Sequence, residues 1–114
     1  MIVDQVTFSS RHSTDVVQLS GEIDLANAAS IGRRIVQHVL TAKAVLIDLT
    51  LVSFLDSAGV RLLDGLVGDL DDAGTPVRFV VGERGPVKML LRLCAFRDDL
   101  LATDLEQAAH EMTG

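Results

Sequence analysis

The segment from Val45 to Leu70 constrains the fold more than any other part of the chain, because two periodicities meet in it. Val45 to Leu49 is an almost unbroken apolar run, rich in branched side chains and too short for a helix. Such a run predicts a strand that is buried on both faces. A loop is predicted over 50–55. Beyond it, apolar residues recur at helical spacing, at Leu62, Leu63, Leu66, Val67 and Leu70.

Asp56 and Ser57 stand where that helix should begin. A hydroxyl at this position lies beside the backbone N–H groups of the first turn, which have no partner inside the helix. The end of a central strand is also where open α/β sheets place their functional groups. The sequence therefore predicts that Ser57 lies on a helix N-terminus at the rim of a small sheet.

The remaining segments alternate between strand and helix patterns. The predicted strands are 1–9, 15–23, 44–49, 77–81 and 100–102, and the predicted helices are 25–40, 57–73, a short helix from Pro86, and a last helix after a capping box at 103–106. The first two strands, joined by a polar turn, form a hairpin. The fold class is therefore α/β, in the order ββαβαβαβα, with a mixed sheet of four to five strands and about four helices. At 114 residues, we expect one domain, 1–114.

Composition excludes several classes of partner. The net charge is −6, no basic cluster exceeds Arg33-Arg34, and aromatic residues make up 4% of the chain. Nucleic acid and anionic membrane surfaces are therefore not expected as partners. No signal-peptide pattern or apolar stretch of membrane length occurs, and the lone Cys94 fits a reducing compartment. These features predict a cytoplasmic protein, with Cys94 as a core residue.

Enzymatic readings find little support in the sequence. A hydrolase elbow needs glycine two residues on either side of its serine; Gly59 fits, but Leu55 does not. None of the three histidines is placed as a base for Ser57, and no pair of His or Cys residues has metal-ligand spacing. Neither a P-loop nor a dinucleotide fingerprint is present. We therefore predict no metal and no cofactor.

Two carboxylates accompany Ser57 at the predicted rim. Asp24 follows the second strand and Asp56 precedes the serine. Each is interpreted either as a helix cap or as part of a polar recognition surface, and spacing alone does not separate the two. A phosphate on Ser57 would be favoured by the helix dipole and opposed by these carboxylates. A third acidic group, Asp69-Asp71-Asp72, is read as a solvated face, with a contact patch as the alternative.

Two motifs resemble one known family. The segment Val52-Ser-Phe-Leu-Asp-Ser-Ala-Gly-Val60 looks like the signature of STAS domains, especially of bacterial anti-sigma factor antagonists (anti-anti-sigma factors). Gly21-Glu-Ile-Asp24 resembles the family's segment after the second strand, and the resemblance runs in order along essentially the whole chain. Cys94-Ala-Phe96 departs from the Gly or Ser that some members carry after the third helix, so the resemblance implies no partner contact there.

The resemblance implies partner switching. The unphosphorylated antagonist would bind an anti-sigma factor that is also a GHKL-type serine kinase, and so free a sigma factor. Phosphorylation of the motif serine, here Ser57, would weaken the complex, and a PP2C-type phosphatase would reset it. The implied partner-binding residues are Asp24, Asp56, Ser57, Ala58 and Gly59. Ser53 is a second candidate for phosphorylation, but we expect it to be largely buried.

The sequence is also compatible with two other functions. One is a different STAS role, such as a stressosome-like scaffold subunit without sigma-factor partner switching. The other is a small hydrolase that uses Ser57.

Overall fold

The computed structural model describes residues 4–113, which form a five-stranded sheet in the order β1-β2-β3-β4-β5. The strands are β1 (Val6–Arg11), β2 (Thr14–Ile23), β3 (Val45–Leu55), β4 (Val77–Val80) and β5 (Leu101–Ala102), and the helices are α1 (Ala28–Val39), α2 (Ser57–Asp72), α3 (Pro86–Leu93) and α4 (Leu105–Thr113). β1 and β2 are antiparallel, and the other neighbouring pairs are parallel. The predicted mixed α/β sheet and the element order are confirmed. Residues 1–3 of the predicted first strand lie outside the described residues.

The central strand β3 is buried on both faces, as its apolar run predicted. Val45, Ile47 and Leu49 belong to the large core that α1, α2 and α3 cover. Leu46 faces the opposite side, where Ala108 and Ala109 of α4 pack on it. The two layers of helices explain why this strand reads as continuously apolar.

The loop predicted over 50–55 is wrong, because β3 continues to Leu55. β2 keeps pairing with it through two register shifts, one between Gln18 and Ser20 and one between Gly21 and Glu22. At the second shift Gly21 has a φ of +75°, a left-handed conformation that glycine adopts without strain. The irregular register keeps the strand pair together over a stretch whose apolar pattern is broken.

The structure corrects three predictions: that Leu40 faces the core, that Cys94 faces the core, and that residues 103–106 form a capping box. Leu40 lies just beyond α1 and is 73% exposed. Cys94 is exposed because α3 ends at Leu93 and the chain turns away through Ala95, whose φ is +57°. The capping box at 103–106 does not form. Instead, Asp104 accepts the Gln107 N–H at 3.0 Å, and Glu106 pairs with Arg11 at 3.1 Å.

Helix α2 begins unusually close to the end of β2. A Cβ built on Gly59 would lie 2.8 Å from the backbone oxygen of Ile23 and 2.8 Å from Leu55 Cδ2. The backbone oxygen has little freedom to move, because Ile23 sits in the sheet. The lack of a side chain at Gly59 is therefore what lets the first turn of α2 dock against the two strand ends.

We expect Gly59→Ala to lower the free energy of unfolding by about 1–3 kcal/mol, the usual cost of overpacking a well-filled site. Gly68 offers a matched control on the same helix, since a Cβ there meets nothing within 4 Å. Gly68→Ala should raise the free energy of unfolding by about 0.5–1 kcal/mol, because alanine is the better helix former. Urea denaturation measures both. A Gly59→Ala variant as stable as the parent would contradict this packing account.

Candidate partner-binding site

Ser57 is the first residue of α2 and is exposed to solvent. Within residues 4–113 its hydroxyl forms no hydrogen bond. It follows β3 directly, and Leu55 at the end of β3 pairs in register with Ile23 at the end of β2. The residues that follow these two strands therefore meet at one edge of the sheet. The predicted position of the serine, on a helix N-terminus at the rim, is confirmed.

Asp56 is the N-cap of α2, so the capping interpretation is confirmed for this carboxylate. Its Oδ1 accepts the Gly59 N–H at 2.9 Å, and its Oδ2 accepts the Leu25 N–H at 3.1 Å. The Gly59 hydrogen bond is the main reason that the pKa of Asp56 lies below its ordinary value, and the positive charge of Arg61 contributes as well. One carboxylate thus closes the helix and ties it to the segment after β2.

Asp24 does not cap α1 with its side chain. Its Oδ1 accepts the Ala26 N–H at 2.9 Å and closes a turn, while its backbone oxygen accepts the Ala28 N–H at 2.8 Å. The helix consequently begins at Ala28, three residues later than predicted, with Asn27 as the residue before it. Asp24 itself is half-buried beside the rim.

Sequence reasoning missed the two amides that hold this turn. Asn27 Oδ1 accepts the Asp24 N–H at 2.9 Å, and its Nδ2 donates to the Glu22 oxygen at 2.9 Å. Gln5 Nε2 donates to the same Glu22 oxygen at 2.8 Å. Gln5 precedes β1, far from the motif in sequence, so no local pattern pointed to it.

Ser53 is exposed, which corrects the expectation that its apolar neighbours bury it. The cause is the short reach of β4, which pairs with β3 only as far as Asp48. The last residues of β3 therefore have an uncovered flank, and Phe54 is 51% exposed. Asp48, in contrast, is buried and accepts hydrogen bonds from Thr50 and Gln18, away from the rim.

Two apolar depressions flank the serine. One is a groove of about 660 Å³ between α1 and α2, which Leu25 and Ala58 line at its Ser57 end. The other is a hollow of about 290 Å³ between the end of β3 and α3, lined by Phe54 and Met89 among others. Leu25 is 79% exposed and Met89 is 67% exposed. Apolar surface on both sides of a polar centre is typical of a protein-binding face.

The other predicted groups lie elsewhere. His38 stacks on Phe8 with the two ring centroids 3.7 Å apart, and His12 contacts both His110 and Glu106. Asp69, Asp71 and Asp72 are exposed, and Asp71 pairs with Arg97 at 3.6 Å. Over residues 4–113, no group of three or more potential metal ligands assembles, and none of the helices combines the length and apolarity that crossing a bilayer requires.

The STAS domain family matches residues 6–111 of this chain. The chain therefore belongs to the STAS domain family. Its sequence is 35% identical over 83 residues to the anti-sigma-F factor antagonist RsfB of Mycobacterium tuberculosis. That match covers 72% of this chain and 66% of the relative, just under two thirds of its length.

Solved structures of other proteins share the fold. An anti-sigma factor antagonist from Mycobacterium paratuberculosis superimposes with a TM-score of 0.81 at 24% identity, over 96% of this chain and 93% of that one. The Bacillus cell fate determinant SpoIIAA in its phosphorylated form gives a TM-score of 0.68 at 18% identity, over 93% and 96%. At these identities the likeness establishes the fold.

The Asp56 cap makes stability depend on pH in a predictable direction. Because its pKa is lower in the folded protein, the carboxylate stabilises the fold above its ordinary pKa, and that contribution is lost as the pH falls through the folded value. We expect Asp56→Asn to be less stable than the parent in urea denaturation at pH 7. The difference should shrink as the pH is lowered below about 4.

Asp64→Asn is the control for this comparison. Asp64 is an exposed carboxylate on the same helix, and its side chain makes no hydrogen bond within the described part of the chain. The Asp64→Asn substitution should change the free energy of unfolding little at pH 7 and at pH 3. A stability difference for Asp56→Asn that is the same at pH 7 and pH 3 would show that the charged cap is not what stabilises this edge.

Proposed function

We propose that this STAS domain is an anti-sigma factor antagonist that is switched by phosphorylation of Ser57. The unphosphorylated form binds an anti-sigma factor with GHKL-type serine kinase activity and releases a sigma factor. Phosphorylation of Ser57 weakens that complex, and a PP2C-type phosphatase restores binding. The observation that carries this proposal is an exposed, unbonded serine hydroxyl at the start of α2, framed by apolar surface. The name of the mycobacterial relative RsfB supports the choice of partner.

The site favours a switch that leaves the fold intact. The N-terminus of α2 provides a positive dipole end that stabilises a phosphate. Both oxygens of Asp56 already accept backbone N–H groups, and Asp24 is engaged in its own turn. A phosphate on Ser57 therefore adds charge to a surface whose neighbouring carboxylates are already held by hydrogen bonds. The cost falls on a partner that must bury this charge against its own surface.

The proposed partner-binding residues divide into two groups by exposure. Ser57 and the half-buried Asp24 present polar atoms to the partner. Ala58 and Gly59 are buried and Asp56 is bonded, so these three residues act by fixing the start of α2. We further propose that residues 1–114 act as one module in the cytoplasm.

The test uses purified protein and a candidate GHKL-type anti-sigma factor. With ATP, phosphate should appear on Ser57 by mass spectrometry and be lost in Ser57→Ala. Ser57→Ala should keep its affinity for the anti-sigma factor, and Ser57→Asp should lose at least about tenfold, as like charges and desolvation at a central contact do.

Ser9 provides the matched control, because it is an exposed serine on β1 that pairs with Val16, near the end of β2 that lies away from the rim. Ser9→Asp adds the same charge and should bind within about twofold of the parent protein. Circular dichroism must show that both aspartate variants are folded. Phosphate on Ser53 instead of Ser57, or full binding by a folded Ser57→Asp, would refute the proposed switch.

A further inference from the structure

The groove between α1 and α2 is open to solvent along its length and is lined mainly by apolar groups. It has a volume of about 660 Å³, with Ala29 and Val36 on the α1 wall and Leu62 and Gly65 on the α2 wall. A Cβ built on Gly65 meets nothing within 4 Å, so the fold does not use the space beside it. Apolar surface of this kind is normally covered by a partner.

The groove is continuous with the proposed switch site. Ala58, the residue after Ser57, lines one wall at its Ser57 end, and Leu25 lines the other. The Leu25 N–H is held by Asp56 Oδ2, the same carboxylate that caps the helix of Ser57. A partner that covers Ser57 and extends along α2 would therefore enter the groove.

The charges on the groove walls indicate the chemistry of its occupant. Within residues 4–113, five of the eight arginines form ion pairs with carboxylates: Arg11, Arg34, Arg78, Arg92 and Arg97. Arg33 on α1 and Arg61 on α2 form none, and both line the groove. In a protein of net charge −6, two guanidinium groups that form no ion pair within residues 4–113, on opposite walls of one apolar groove, complement an acidic segment.

We propose that this groove binds an acidic amphipathic helix of the anti-sigma factor, seated beside Ser57. This inference rests on the proposed function and adds the partner's binding element to it. A helix fits because it presents one apolar stripe to a groove and packs as a third member against two neighbouring helices. Its acidic residues would face Arg33 and Arg61. Asp69 lines the groove too, twelve residues along α2 from Ser57, and would disfavour acidic groups next to it.

Arg61 connects the groove to the switch. It lies four residues after Ser57, so the two side chains share one face of α2. Long side chains on a helix lean toward its N-terminus, which directs the Arg61 guanidinium to the turn of Ser57. A phosphate on Ser57 and a carboxylate of the bound helix would compete for this one cation. Phosphorylation would thereby weaken binding in the groove as well as over the serine.

The first test fills the groove without disturbing the fold. Gly65→Leu places a side chain in the groove, while Gly68→Leu places the same side chain elsewhere on α2, and a Cβ meets no other atom within 4 Å at either position. The probe is the full-length anti-sigma factor that binds in the assay above. Gly65→Leu should weaken binding at least about tenfold and Gly68→Leu less than about twofold, with equal circular dichroism.

The second test addresses charge. Arg33→Glu and Arg61→Glu should each weaken binding by at least about tenfold, and added salt should weaken binding of the parent more than binding of these variants. Arg92→Glu, on α3 and outside the groove, is the control and should bind within about twofold. Ser57→Asp should weaken binding less in an Arg61→Gln background than in the parent, because the contested cation is gone.

The outcomes separate this inference from the proposed function. If Ser57→Asp loses binding but Gly65→Leu binds like the parent, the groove is not the docking site and the antagonist function stands. If Gly65→Leu loses binding but neither arginine reversal does, the occupant is not acidic and the inference fails. A dimer of this chain that Gly65→Leu dissociates would make the groove a self-interface and also overturn it. If no anti-sigma factor binds the unmodified protein, both proposals fall.

Discussion

The carboxylate of Asp56 is the interaction on which the functional edge of this protein depends. It accepts one N–H from the first turn of α2 and another from Leu25 in the segment after β2. The backbone N–H of Asp56 also donates to the oxygen of Ile23 at the end of β2. Two strand ends and a helix start are thereby held in one joint. Because the joint is made of hydrogen bonds at the surface, it fixes position without burying the serine beside it.

The site therefore has two kinds of residue: those that fix the backbone at the start of α2, and one, Ser57, whose side chain is exposed to a partner. Gly59 and Ala58 are packed against the strand ends, and Asp24 closes its own turn. Ser57 alone in this group has an exposed side chain without a hydrogen bond within the described residues. A charge added to such a side chain changes what can bind far more than it changes the fold, because the neighbouring polar groups are already satisfied. This division suits a STAS domain whose proposed role is to bind, release and bind again.

The apolar surface around Ser57 is also suited to binding a partner. The groove between α1 and α2 and the hollow beside α3 lie on either side of the start of α2. Leu25, Phe54 and Met89 are exposed there although their type favours burial. Arg33 and Arg61 give one of the two depressions a positive character in an acidic protein. A rim with these properties combines a charge-sensitive centre with apolar contact area, which is what a reversible protein interface requires.

The sequence by itself determined the fold class, the order of elements, the buried central strand and the place of Ser57 on a helix start. These follow from local patterns: apolar periodicity of β3 and α2, the cap Asp56, and the breaker Gly74, whose φ is +72° at the end of α2. The tertiary structure alone decided that β3 runs to Leu55, that Ser53 and Cys94 are exposed, and that Gln5 and Asn27 brace the turn of Asp24. Each of these depends on which strand or helix covers a residue from a distant part of the chain. Which element covers a residue is set by packing between elements, and it cannot be predicted from the apolar periodicity within one element.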